Sequence, residues 1–297
     1  METRLFPCLV DMRFKGVRID ETRAKTLGKD LGKRRDRIIK GIKKRTGITI
    51  EIWAADSIQK LLDQQNIKDY KKTPKSGRAS LSKDYLEFHP NVYLRLIARA
   101  RQYDKLINVF VDGILRFVHK GRIHAEINQI RSDKGGTVTG RLSMRNPNLQ
   151  QIPARGKYGN IIRSLFLPEE EEQWGSFDYS QQEPRLVVHY ALKNGMIGAE
   201  NLAEQYQKDP TTDFHALIAK LAKITRKQAK TINLGLFYGM GKNKLAKSLG
   251  LDREESKELF DQYHKKVPFV RELSTGLQRF AEKNKNVFTL EDRFCRF

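Results

Sequence analysis

Phe177-Asp178-Tyr179-Ser180-Gln181-Gln182-Glu183-Pro184-Arg185 is the stretch on which the fold turns. Trp174 to Tyr179 reads as a strand, and Pro184 stands where a first helical turn accepts proline, with Leu186, Val187 and Tyr190 continuing an apolar helix face. Asp178 then falls at a strand end, where a carboxylate can hold a hard metal ion; alone, the same residue reads as a helix cap. Glu183, five residues on, opens the helix, where its charge also suits the helix dipole.

Fifty residues downstream, Arg226, Lys230, Leu234 and Tyr238-Gly239 follow one another at four-residue steps. Arg226, Lys230 and Leu234 share a helix face, and Tyr238 drifts to its flank about 18 Å further along by helical rise. Such a face can offer cations to β- and γ-phosphates, an apolar side chain to a sugar and a ring to a base or template. An isolated pair of this kind is equally a solvated surface. Gly235 costs the helix roughly 1 kcal/mol against alanine, which points to bending or a close backbone approach. His215 precedes this helix and reads either as a donor to a phosphate or as a satisfied structural histidine. The carboxylate and the cationic helix together point to nucleotidyl transfer, a reaction that two divalent ions such as Mg²⁺ assist by neutralising charge on the attacking, transferred and leaving groups.

At 297 residues the chain can form one large domain or two modest ones. Hydrophobic content of 39% beside 31% charged residues reads as soluble, and no apolar run approaches the roughly 20 residues of a membrane span. Met1 to Pro7 lacks the apolar stretch of a secretory signal, and Cys8 and Cys295 lie at opposite ends, which suits free thiols in a reducing, cytoplasmic setting. Lys and Arg number 57 against 35 Asp and Glu, a net +22 that favours a polyanionic partner, nucleic acid first.

The charge is clustered. Leu27, Leu31, Ile38 and Ile42 form an apolar stripe among Lys29, Lys33, Arg34, Arg35, Arg37, Lys40, Lys43 and Lys44, a basic amphipathic helix over Arg23–Arg45. Asp56 or Ser57 is expected to cap a second helix through Leu62. A mobile cationic loop over 71–80 follows, with Lys71, Lys72, Lys75 and Arg78 as candidate contacts to a nucleic-acid backbone. A third helix is expected from about Ser82 to Arg101 and a fourth through Leu106 to Leu115. From Arg122 the pattern turns β-like and then rich in turns. After Asp213 it is almost entirely helical, broken at Gly239-Met240-Gly241, Gly250 and Pro268. The expected class is α+β, mostly helical.

Asp178 to Arg185 resembles motif A of the family A DNA polymerases, the group of bacterial DNA polymerase I and many phage replicases. Arg226 to Gly239 is similar to motif B, and Thr139-Gly140-Arg141-Leu142-Ser143 with Pro147-Asn148-Leu149-Gln150-Gln151-Ile152-Pro153 is similar to the segment that precedes motif A. The resemblance covers nearly the whole chain. It implies a right-hand polymerase, with a thumb over residues 1–128, the first part of the palm over 129–192 and fingers over 193–297, serving DNA replication or repair. It implies that Asp178 and the Tyr179 carbonyl bind Mg²⁺, two ions in a complete site. Arg226, Lys230 and His215 would contact the triphosphate, with Lys230 a proton donor to pyrophosphate. Glu183 would gate against a 2′-hydroxyl, Leu234 and Gln181 would lie at the dNTP, and Tyr238 would guard the template. Arg141 and Gln151 would meet primer-template DNA.

Departures are also present. Leu234 stands where the family commonly has Phe or Tyr, and Thr289 to Arg293 lacks the family's glycine. Motif C, which carries the second metal-binding Asp, has no counterpart, nor has an exonuclease domain. The remaining palm is expected to be missing or carried on a second polypeptide. The competing readings are an inactive remnant that grips primer-template DNA and a single-subunit RNA polymerase, against which Glu183 argues.

Overall fold

Two glycines frame the first elements. Helix α1 (Glu2–Lys15) stops at Gly16, whose φ of 64° and close approach to the Ile123 carbonyl exclude a side chain. Strand β1 (Val17–Ile19) follows, and Asp20 caps α2 (Glu21–Thr46) by accepting a 2.8 Å hydrogen bond from the Arg23 amide. Gly47, at φ 72°, ends α2 in the left-handed region. The expected stripe is the buried one: Leu31 and Ile42 are sealed, with Leu27 and Ile38 packed beside them. This computed structural model describes residues 2–74, 76–133, 135–154, 156–222, 224–289 and 292–296, and falls into two compact units, Met1–Trp174 and Gly175–Phe297.

In the first unit α3 (Ala55–Gln64) and α4 (Lys83–Phe88) share a core with Ile42 of α2, while α5 (Val92–Lys105) and, past a π-helical turn over Leu106–Val111, α6 (Asp112–Leu115) pack on α2. The expected cap of α3 is not formed by Asp56 or Ser57: the helix begins at Ala55, and the Ser57 hydroxyl accepts from the Glu51 amide at 2.8 Å. The single helix expected over Ser82–Arg101 is two, because Pro90 cannot continue one; Ser82 caps α4 and Asn91 caps α5. The 71–80 segment is a short hairpin, Lys72 opposite Ala79, rather than a loop without pairing.

Strands β2 (Val118–His119), β3 (Arg122–Ile123), β4 (Glu126–Asn128) and β5 (Ser143–Arg145) come next, then α7 (Gly156–Arg163) and β6 (Phe166–Leu167). An antiparallel sheet runs in the order β2-β3-β1-β6, with Val17 opposite Ile123 and Arg18 opposite Leu167, while β4 pairs β5 alone. Ile19, Ile123, Ile162 and Leu165 join this sheet to α2 in one core.

The second unit packs α8 (Gln182–Lys193), α9 (Ala199–Lys208), α10 (Phe214–Ala222), α11 (Arg226–Phe237), α12 (Lys242–Leu249), α13 (Arg253–Lys266) and α14 (Pro268–Asn284) around Phe214, Ile232, Tyr263 and Phe269. The chain then makes a hairpin, β7 (Asn286–Phe288) with β8 (Phe294–Arg296), which the helical pattern did not foretell. Thr289 and Arg293 close its turn; Leu290 and Glu291 lie outside the described residues. The molecule is α+β and mostly helical, as its sequence implied.

A further expectation fails, the one nearest the candidate site. Residues 174–179 form no strand: Phe177 is 97% exposed and Tyr179 82%. A strand exists only through ladder hydrogen bonds to a neighbour, and among the described residues none pairs with this segment.

Candidate functional site

Gln181 organises the second unit's polar end. It adopts a left-handed conformation at φ 54°, immediately before α8. Its side-chain amide donates to the Thr212 carbonyl and its carbonyl accepts from the Phe214 amide, both at 2.7 Å. Arg185 adds a second tie: Nε donates to the Ser180 carbonyl at 3.0 Å, the guanidinium also reaches the Pro210 carbonyl, and it lies 4.5 Å over the Tyr206 ring. Gln181, expected at a nucleotide, thus has both amide groups committed to holding the start of α8 against the start of α10. Pro184 is buried in the first turn of α8, where a missing amide hydrogen costs nothing. Asp178 is exposed and makes no hydrogen bond or ion pair with the described residues.

Helix α11 begins at Arg226 because Thr225 and Gln228 form a reciprocal capping box. Its buried face is Ala229, Ile232, Asn233 and Leu236, which leaves Arg226 and Lys230 exposed and Leu234 half-buried. Tyr238 caps the far end and is 67% exposed. A side chain on Gly235 would stand 1.9 Å from the tip of Met240, so the glycine marks a close approach.

Asp213, just before α10, accepts from Arg226 Nε at 2.6 Å and from the Ala216 amide at 3.1 Å. Burial raises the Asp213 carboxyl, but the Arg226 hydrogen bond and backbone amides outweigh it and hold the group below its ordinary 3.8. His215 is 3% exposed, and its Nδ1 lies 2.8 Å from Asn233 Nδ2. Burial pushes the imidazole below its ordinary 6.5; Lys230 and Arg226 reinforce this, while Asp213 and Glu183 oppose it. The charges of three expected residues, Arg226, Lys230 and Glu183, thus bear on a fourth, His215. Asp213, Arg185 and Asn233 were not foreseen. Asn233 was legible as a polar residue on an apolar helix face.

In the first unit Arg141 and Gln151 are exposed, as are Lys71 and Lys72. Arg78 is paired with Asp56 at 3.1 Å, and Lys75 lies outside the described residues. The exposed cations of α2 include Lys29, Lys33, Arg34, Arg37 and Lys40, whereas Arg35 is tied to Asp36 and Asp104. A cavity of about 330 Å³ beside Gly16, Ile127, Met144 and Trp174 is lined by none of the expected site residues. No group of three His, Cys, Asp or Glu side chains that could hold a metal forms among the described residues. The open Asp178 carboxylate is a suitable oxygen donor but only part of the donor set that two Mg²⁺ ions require.

Residues 21–297 match the model of DNA polymerase family A. The chain is 32% identical to a DNA-directed DNA polymerase of Pseudomonas phage M6, covering 100% of this chain and 52% of that protein. It is 31% identical to DNA polymerase DpoZ of Acinetobacter phage SH-Ab 15497, covering 54% of it, and 32% identical to DNA polymerase I of Geobacillus stearothermophilus, covering 33%. The POL domain of Pol1 from M. smegmatis, in complex with DNA primer-template and dNTP, superposes with a TM-score of 0.81 at 26% identity, over 100% of this chain and 52% of that one. The chain thus spans about half the length, or less, of these relatives. Among the described residues no helix is long and apolar enough to cross a membrane.

Proposed function

Because the chain belongs to DNA polymerase family A, we propose that it carries out template-directed DNA synthesis, adding dNTPs to a primer 3′-hydroxyl in the cytoplasm together with a second polypeptide that supplies the rest of the palm. Residues 1–128 would serve as thumb, 129–192 as the first part of the palm and 193–297 as fingers. The observation that carries this reading is the α11 face, where Lys230 and Arg226 are exposed one turn apart and Arg226 pairs with Asp213, two residues from the buried His215.

In the reaction the primer 3′-oxygen bonds to the α-phosphorus, the bond to pyrophosphate breaks, and the hydroxyl proton passes to solvent water. Lys230 offsets charge gathering on the pyrophosphate and can give it a proton. Arg226 joins it by exchanging the Asp213 carboxylate for phosphate oxygens. Glu183, at the start of α8, packs against the sugar and rejects a 2′-hydroxyl. Leu234 lies at the sugar, Tyr238 at the template, and Arg141 and Gln151 on the primer-template, while Lys71, Lys72, Lys75 and Arg78 grip the DNA backbone. Gln181 acts by fixing the loop that carries Asp178 rather than by touching the nucleotide. Asp178 and the Tyr179 carbonyl would hold Mg²⁺ with donors from outside the described residues, and the ions would supply charge neutralisation.

The test is Mg²⁺-dependent extension of a primer-template after mixing the chain with a polypeptide carrying the remaining family A palm. Extension that Asp178→Ala abolishes supports the reading. A stable complex without extension, and salt-sensitive DNA binding unchanged in that variant, would instead identify a DNA-gripping remnant.

A further inference from the structure

Asn233 is fully buried on α11, yet it is the polar member of an otherwise apolar face. Among the described residues its side chain makes one hydrogen bond, to His215 Nδ1, 2.8 Å away, and its Oδ1 is buried with no partner. The amide can be turned in two ways. As placed, Nδ2 donates one hydrogen to Nδ1, while Oδ1 and the second amide hydrogen have no partner among the described residues. Turned over, the carbonyl would accept from an Nδ1–H, and both amide hydrogens would need acceptors. The structure has the first arrangement, with Nδ2 facing Nδ1.

That orientation dictates the imidazole. With Nδ1 accepting, a neutral ring carries its hydrogen on Nε2. Nε2 makes no hydrogen bond with the described residues and is not among the polar atoms sealed from solvent without a partner, so the ring's small exposed edge includes it. Desolvation, with Lys230 and Arg226 nearby, keeps the ring neutral against the pull of Asp213 and Glu183.

We infer that Asn233 is a positioning residue: its amide fixes His215 as the Nε2–H tautomer and so presents a neutral N–H donor to the phosphates of a nucleotide bound along the Arg226–Lys230 face. A ring with the opposite tautomer would turn a lone pair toward the phosphates and repel them. The inference rests on the nucleotide reading for its ligand, but the tautomer itself does not.

The experiment is long-range proton–nitrogen correlation NMR on the full chain with nitrogen-15 histidine, at about pH 8 where an ordinary imidazole is neutral. His215 is assigned by its loss in His215→Gln. The wild-type ring should show Nε2–H with an acceptor Nδ1. Asn233→Asp, which can only accept, should switch it to Nδ1–H, and Asn233→Leu should leave a mixture. dATP binding should weaken about tenfold in Asn233→Leu, the loss of one charge-assisted hydrogen bond. In a His215→Gln background the same substitution should change dATP binding little, because Asn233 acts through the ring. A wild-type Nδ1–H tautomer, or equal losses in both backgrounds, would overturn the inference, and the first of these needs no variant beyond the one used for assignment. Absence of dATP binding to the wild type would remove the nucleotide reading while the tautomer still decides the role of Asn233.

Discussion

Lys230 is the cation on which most depends, since it is exposed and makes no ion pair with the described residues. Arg226 must instead leave Asp213 to reach a phosphate. Lys230→Ala should therefore weaken dATP binding about tenfold or more, while Asp213→Asn, by freeing Arg226, should weaken it less or strengthen it. Isothermal titration with both variants checks the order, and equal losses would contradict it. The same residues set a pH response. The folded pKa of His215 lies below 6.5, so as pH falls past 6.5 the unfolded chain takes up a proton that the folded chain does not. Stability is complete above 6.5 and declines below it until the folded value is reached. The urea midpoint of wild type should fall over that window, and His215→Gln should flatten the change. Asp213 adds a second window: its support is present above 3.8 and lost as pH drops through its lower folded value.

At the scale of elements, α11 was legible because its four-residue spacing, its Gly235 and the break at Gly239 all act locally. Its stability has a local test too. Thr225→Ala removes the capping box and should cost about 1 kcal/mol in urea unfolding, whereas Thr225→Ser should cost less. The opening of α8 was read correctly for the same reason, since a proline constrains only its own turn. What the sequence did not yield depends on partners distant in the chain. Trp174 to Tyr179 has strand composition but no pairing neighbour among the described residues. The β7–β8 hairpin is the local exception, its Phe288 and Phe294 rings 5.2 Å apart in a segment whose sequence continued the helical reading. The candidate site divides likewise. Arg226 and Lys230 follow from helical spacing, whereas the Asp213–Arg226 pair and the His215–Asn233 bond join residues 13 and 18 positions apart that no pattern connects.

For the whole molecule, a net charge of +22, with α2 and the 71–80 hairpin among its basic clusters, would make binding to nucleic acid depend on counterion release. Fluorescence anisotropy on a primer-template should give a steep, linear fall of log affinity with log salt. Replacing both Lys71 and Lys72 by alanine should reduce that slope by about 2, roughly 1 for each lost phosphate contact. An unchanged slope would remove the hairpin from the DNA surface. The central claim, however, concerns α11 as the element that grips a nucleotide triphosphate. It is tested most directly by photo-crosslinking an azido-dNTP to the full chain with primer-template present, then mapping the labelled peptides. The account predicts label on residues 226–238, competed by unlabelled dNTP and diminished in Lys230→Ala; label confined to other peptides, indifferent to that substitution, would contradict it.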